Sequence, residues 1–221
     1  SMLIVSRLQS TFSSLGWNNG LWYLLGQMLH RVNPSWNIYK YCLVAQPVAP
    51  QARLSGHQGA SIEVRQILEH DRAITTMARP AGVIAQRFQQ GAVCLGAFKS
   101  DELVGYLWLQ LGPYKEDEVR CRFIPQPEHQ AAWDFDIFVE PKQRIGFTFA
   151  KLWDAADALM RARGIRWTMS RISAFNPASL AAHKKLGLKY VGGAIYFVLG
   201  NAQITVSNLV PYMHVSLSAA R

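Results

Sequence analysis

Three groups of side chains in this sequence have the types and spacing to do chemistry. Asn176-Pro177-Ala178-Ser179 is followed by His183 and Gly187. Asparagine before proline reads as a helix N-cap with proline at the first helical position, and the glycine as a helix stop. His183 then lies two turns after Asn176, and an imidazole with a reference pKa of about 6.5 can donate a proton near neutrality. Upstream, Val139-Glu140-Pro141-Lys142-Gln143-Arg144-Ile145-Gly146-Phe147-Thr148 reads as a strand that passes through a tight basic turn into a helix. Such a junction aims N–H groups and the positive end of a helix dipole at one spot, which suits a phosphate. Gly146 permits close approach, and Lys142 and Arg144 add positive charge. In Trp133-Asp134-Phe135-Asp136-Ile137-Phe138-Val139, alternation puts Asp134, Asp136 and Phe138 on one face and the other four on the opposite face. Acids in the middle of a strand need a task or a partner such as Arg120, Arg122 or Arg171.

The elements that must position these groups follow from the hydrophobic pattern. Strands are expected at Ser61–Leu68, Val93–Phe98, Leu103–Leu111, Ala132–Val139, Trp167–Ile172 and Tyr190–Leu199. Helical spacing covers His70–Gln90, broken at Pro80-Ala81-Gly82, and runs from about Ile145 to Arg163 and from Pro177 to Leu186. This order predicts an α/β (α+β) fold with a mixed, mainly antiparallel central sheet flanked by helices. Residues 46–60, rich in proline, glycine and small polar residues, read as a linker. The expected division is a helical, aromatic-rich extension with linker over 1–57, a main domain over 58–200 and a C-terminal strand or tail over 201–221.

The 221 residues carry a formal charge of +9, which implies an anionic partner. Cys42, Cys94 and Cys121 are widely spaced and form no metal-ligand pattern, so no metal is expected, and a reducing, cytoplasmic setting fits best. Ser1 ahead of Met2 reads as a cloning remnant. The apolar residues Leu21, Trp22, Leu24, Leu25, Met28 and Leu29 are interrupted by Gly20, Gly26, Gln27 and His30, short of a membrane span. With Arg7, Arg31 and Lys40 nearby, this helix suits packing on the domain or on a second subunit, a homodimer, before a peripheral membrane contact.

From Ser61 to Gly200 the chain resembles the GNAT-type acetyl-CoA-dependent N-acyltransferases. Their phosphate loop reads Gln/Arg-x-x-Gly-x-Gly/Ala, and their next helix begins Asn-x-x-Ala/Ser-x-x-x-Tyr. The resemblance implies acetyl-CoA as cosubstrate and an unidentified amine as acceptor. It places coenzyme A on Gln143, Arg144, Ile145, Gly146, Phe147 and Thr148, and on Asn176 and Ser179. Backbone N–H groups near Phe138 and Val139 would meet the thioester carbonyl. His183 stands where the family usually carries a tyrosine that protonates the departing thiolate. Asp136, then Asp134, would be the base. Thr148 stands where the loop pattern has a smaller residue. The rival readings are a basic, non-catalytic module bound to an anionic membrane or nucleic acid, and a related aminoacyl or long-chain acyl transferase. Dispersed basic residues and the lack of a reading motif count against nucleic acid.

Overall fold

The computed structural model describes residues 2–217, with side chains from Ser6 onward. In chain order the elements are α1 (Met2–Val32), β1 (Trp36–Pro47), β2 (Glu63–Ile67), α2 (Ala81–Gln89), β3 (Val93–Lys99), β4 (Glu102–Gln110), β5 (Tyr114–Lys115) and β6 (Arg122–Phe123). Next come β7 (Ala131–Val139), α3 (Thr148–Ala162), β8 (Trp167–Ser173), α4 (Pro177–Lys184), β9 (Lys189–Leu199), β10 (Ala202–Ser207) and β11 (Met213–Ser216). Single 3-10 turns cover Arg72–Thr76 and Pro141–Gln143.

Two compact units divide the chain: residues 1–46, 118–120 and 171–221 form the first, and 47–117 and 121–170 the second. These do not follow the expected boundaries at 57/58 and 200/201. The reason lies in β1, a strand where the sequence reading placed only a helical extension and linker. Its alternation, Ile38, Lys40, Cys42 against Tyr39, Tyr41, Leu43, suits a strand, and it pairs antiparallel with β9 from Trp36↔Leu199 to Ala45↔Lys189.

In the second unit the strands run β2-β3-β4-β7-β8, antiparallel except for β7 and β8, which pair in parallel from Ala131↔Trp167 to Trp133↔Met169. The helix α3 turns Leu152, Trp153, Ala156 and Met160 inward, all fully buried. Burying side chains the size of Leu152 and Met160 is worth roughly 1.5–3 kcal/mol each, which fixes the helix that the 139–148 junction leads into. Residues 47–54 are strapped to this unit: Val48 N–H donates to the Arg166 carbonyl, Arg161 to the Ala49 carbonyl, and the amides of Arg53 and Leu54 to the Asp154 carboxylate.

In the first unit the order is β11-β10-β9-β1, antiparallel throughout. Gly16, at φ +75°, breaks α1 into two helical runs, and the later run packs on the sheet. There Trp22 meets Phe197 and Tyr23 meets Phe175 edge to face, while Gly26 comes close to Ile38.

Candidate functional site

The strand β7 departs from simple alternation. Its register against β4 runs Gln110↔Trp133, Leu109↔Asp134 and Trp108↔Phe135, then slips before Tyr106↔Phe138 and Gly105↔Val139. The extra residue is a β-bulge at Asp136, whose φ of +47° is a conformation that non-glycine residues rarely adopt. Phe135 stacks near Trp108 and Phe138 on Tyr106. Trp108 and Tyr106 are two apart on β4, so Phe135 and Phe138 share a face. The expected pattern had put them on opposite faces, and the bulge is why it fails.

The two acids part company for the same reason. Asp134, buried, accepts a hydrogen bond from the Thr168 hydroxyl on β8 at 2.6 Å. Asp136 instead meets two guanidinium groups, with Arg79 Nη2 at 2.5 Å and Arg87 Nη1 at 2.5 Å. Arg87, itself buried on α2, also reaches Asp117 at 2.7 Å, and its guanidinium carbon lies 5.1 Å from the Phe135 ring centre. Burial acts to lower the Arg87 pKa, but contacts with Asp136 and Asp117 outweigh it and hold the group above its ordinary range. Burial, and then the charge of Asp136, push the neighbouring Tyr106 phenol up to about 12. The three arginines named from the sequence are engaged elsewhere or not drawn in. Arg120 donates to the Asn201 carbonyl and Ser216, Arg171 pairs with Glu118, and Arg122 is exposed on β6. Arg79 and Arg87 were missed because they lie far upstream; Arg87 on the inward stripe of α2 was the available signal.

Beyond the bulge, Glu140 N–H donates back to the Val104 carbonyl. Peptide groups alternate direction along a strand, so the Phe138 amide points toward β4 and the Val139 amide points away from it. Arg144 Nε donates to the Val139 carbonyl at 3.1 Å, tying the turn to the strand end. Gly105 lets these pieces come together: a Cβ there would stand 2.8 Å from the Phe138 carbonyl oxygen and 3.1 Å from Thr148 Cγ2.

The helix after the turn starts at Thr148, three residues later than expected, because 140–146 close successive tight turns. Gln143 N–H donates to the Glu140 carbonyl, Arg144 to Pro141 and Gly146 to Gln143. The amides of Ile145 and Phe147 have no backbone acceptor among the described residues, and residues 144–147 are exposed. Gly146 is not in the left-handed region, and an added Cβ would meet only the Gln143 carbonyl oxygen at 3.6 Å. Thr148 is buried with its hydroxyl unpartnered among the described residues, at the first turn of α3.

Asn176, Ser179 and His183 lie together on α4 in the first unit. Asn176 caps the helix by accepting from Ser179 N–H at 3.0 Å. His183 is buried, only 3% exposed, which departs from an ordinary surface histidine. Its Nδ1 sits 2.8 Å from the Ser179 carbonyl oxygen, an acceptor only, so Nδ1 carries a hydrogen. Among the described residues no group of three or more His, Cys, Asp or Glu side chains could hold a metal ion.

No protein-family model matches the sequence. No curated protein matches it either. Solved structures do. A tandem GNAT protein from the clavulanic acid biosynthesis pathway, solved without AcCoA, superposes at a TM-score of 0.50 with 16% identity over 77% of this chain and 54% of its own. The fold is of the GNAT type. A conserved protein of unknown function from Staphylococcus epidermidis ATCC 12228 gives a TM-score of 0.51 with 12% identity over 78% of this chain and 66% of its own. The chain thus spans just under two thirds of one of these structures and about half of the other. At such identities the likeness speaks for the GNAT-type architecture, and chemistry has to be argued from the residues.

Proposed function

We propose that this chain is an acyltransferase that moves an acetyl group from acetyl-CoA to an amine. The observation that carries this reading is the bulged strand β7, which runs at Val139 into an exposed basic turn and the first turn of α3 in a GNAT-type fold. Lys142 and the amides of Ile145 and Phe147 would hold the pyrophosphate, and the unpartnered Thr148 hydroxyl is a further polar atom that fits such a group. The Val139 amide, turned away from β4, is the donor we assign to the thioester carbonyl.

In the reaction, the amine nitrogen forms a bond to the carbonyl carbon, the carbon–sulfur bond breaks, the nitrogen loses a proton and the thiolate gains one. His183, in its doubly protonated form with Nδ1–H held by the Ser179 carbonyl, is the proton donor we assign to the sulfur, through Nε2. Asp136 holds two arginines, and taking up a proton would weaken both contacts. We therefore assign it to shaping the bulge, and leave the amine proton to water or to Asp134.

Calorimetric titration with acetyl-CoA tests the reading, with Gly146→Asp as the variant. The space around Gly146 lets that variant fold, while the new carboxylate repels a pyrophosphate. Saturable binding by the parent and none by the folded variant is expected. Equal binding by both would refute the phosphate-loop assignment, and a panel of amines would then be assayed with any donor that binds.

A further inference from the structure

The first unit holds nearly all of the chain's charge imbalance. It contains nine Lys and Arg against a single acid, Glu118, which is +8 of the total +9. That one acid already accepts from the Tyr41 hydroxyl and pairs with Arg171 at 3.0 Å. No Asp or Glu occurs before Glu63 or after Asp157.

The same unit exposes its largest apolar side chains in an ordered way. On the later run of α1, Trp17, Leu21, Leu25, Met28 and Val32 recur at helical spacing on the side away from the sheet, and Trp17 is 74% exposed. The opposite side of this run, Trp22 and Gly26, packs on Phe197 and Ile38, which are register partners on β9 and β1. Cross-strand partners share a face. Ile204 pairs with both Phe197 and Val215, and Val206 with Ile195 and Met213. The face that α1 covers over β1 and β9 therefore continues across β10 and β11 as Ile204, Val206, Met213 and Val215, all of them exposed. The other face differs: there Gln203 is buried and exchanges hydrogen bonds with the Arg120 backbone.

Charge selects among occupants of this surface. A second copy would bring two such cationic units together with no free acid to meet them. A nucleic acid would leave the apolar stripe in water. An anionic bilayer satisfies both features, since apolar side chains enter the interface while lysines and arginines meet phosphate headgroups. Among the described residues no helix is long and apolar enough to cross a membrane, so α1 would lie along the surface.

We propose that the first unit docks this protein on a bilayer of anionic phospholipid through the outer stripe of α1 and the adjoining face of β10 and β11. Flotation of the full chain with vesicles tests it. Binding is expected to vesicles containing phosphatidylglycerol, to weaken as salt rises, and to be slight on phosphatidylcholine alone. Leu21→Glu combined with Met28→Glu, both at exposed positions, should weaken partitioning about tenfold or more through lost insertion and added repulsion. Val215→Glu tests the sheet face separately. Equal partitioning to both lipids, no binding to either, or undiminished binding by variants with a parental circular dichroism spectrum would overturn the proposal. So would a dimer, seen by sedimentation, that Leu21→Glu dissolves, because the surface would then belong to a second copy.

Discussion

Arg87 and Asp136 meet at 2.5 Å where β7 slips its register against β4, so the backbone irregularity and the ion pair are a single feature. A positive φ at a non-glycine residue costs on the order of 1–3 kcal/mol and persists only where surroundings over-determine it. Here Arg79 and Arg87 supply that determination, and the bulge in turn sets which face Phe138 takes and which way the Val139 amide points.

Asp136→Asn removes the charge that faces both guanidinium groups. Breaking a buried pair from one side costs about 3–5 kcal/mol, and partial exposure of Arg79 favours the lower end. Thermal melting should show a clear drop in Tm, with residual activity per folded molecule largely kept. A parental Tm with activity lost would instead make Asp136 the base.

Gly105→Val should be damaging out of proportion to its size. The new Cβ would press on the Phe138 carbonyl oxygen, which is backbone and cannot swing aside. A stability loss of about 1–3 kcal/mol is expected in denaturant melts, along with weaker acetyl-CoA binding as α3 is displaced from the strand end.

His183→Gln should leave the acetyl-CoA dissociation constant near the parental value and lower kcat by about ten- to a thousandfold. Single-turnover kinetics beside calorimetry separates these. An unchanged kcat would reduce His183 to a packing residue on α4.

Alkaline stability should depend on Tyr106. Its folded pKa, about 12, lies above the unfolded value of 10.0, so its contribution is present below about pH 10 and is lost as the pH rises through 12. Unfolding free energy should fall across that window, and Tyr106→Phe should flatten the fall. A parental slope in the variant would assign the alkaline transition to other groups.

Much of this arrangement was legible in the residues because it is local. Asn176, Pro177 and Gly187 mark α4 by capping rules alone, and Leu152, Trp153, Ala156 and Met160 mark the inward face of α3 by period. Alternation could not reveal the bulge, since a slip of register leaves no trace in composition and depends on Arg79 and Arg87 from a distant segment. The strand β1 was missed for a similar reason. Its alternation is adequate, but its partner β9 lies at the far end of the chain, and the proline-rich stretch after it reads more naturally as a linker.

The pairing of β1 with β9 also constrains how the chain can fold as it leaves the ribosome. Residues 47–170 hold nearly everything the second unit needs, so that unit can close while synthesis continues. Over the same interval α1 and β1 wait for Leu199 to emerge and complete the ladder from Trp36. Throughout that interval β1 lacks its β9 partner, and the apolar helix before it lacks the β9 side of its packing surface. This is the segment a chaperone would be expected to hold, and a ribosome stalled before β9 would release a protein with one finished half and one sticky arm.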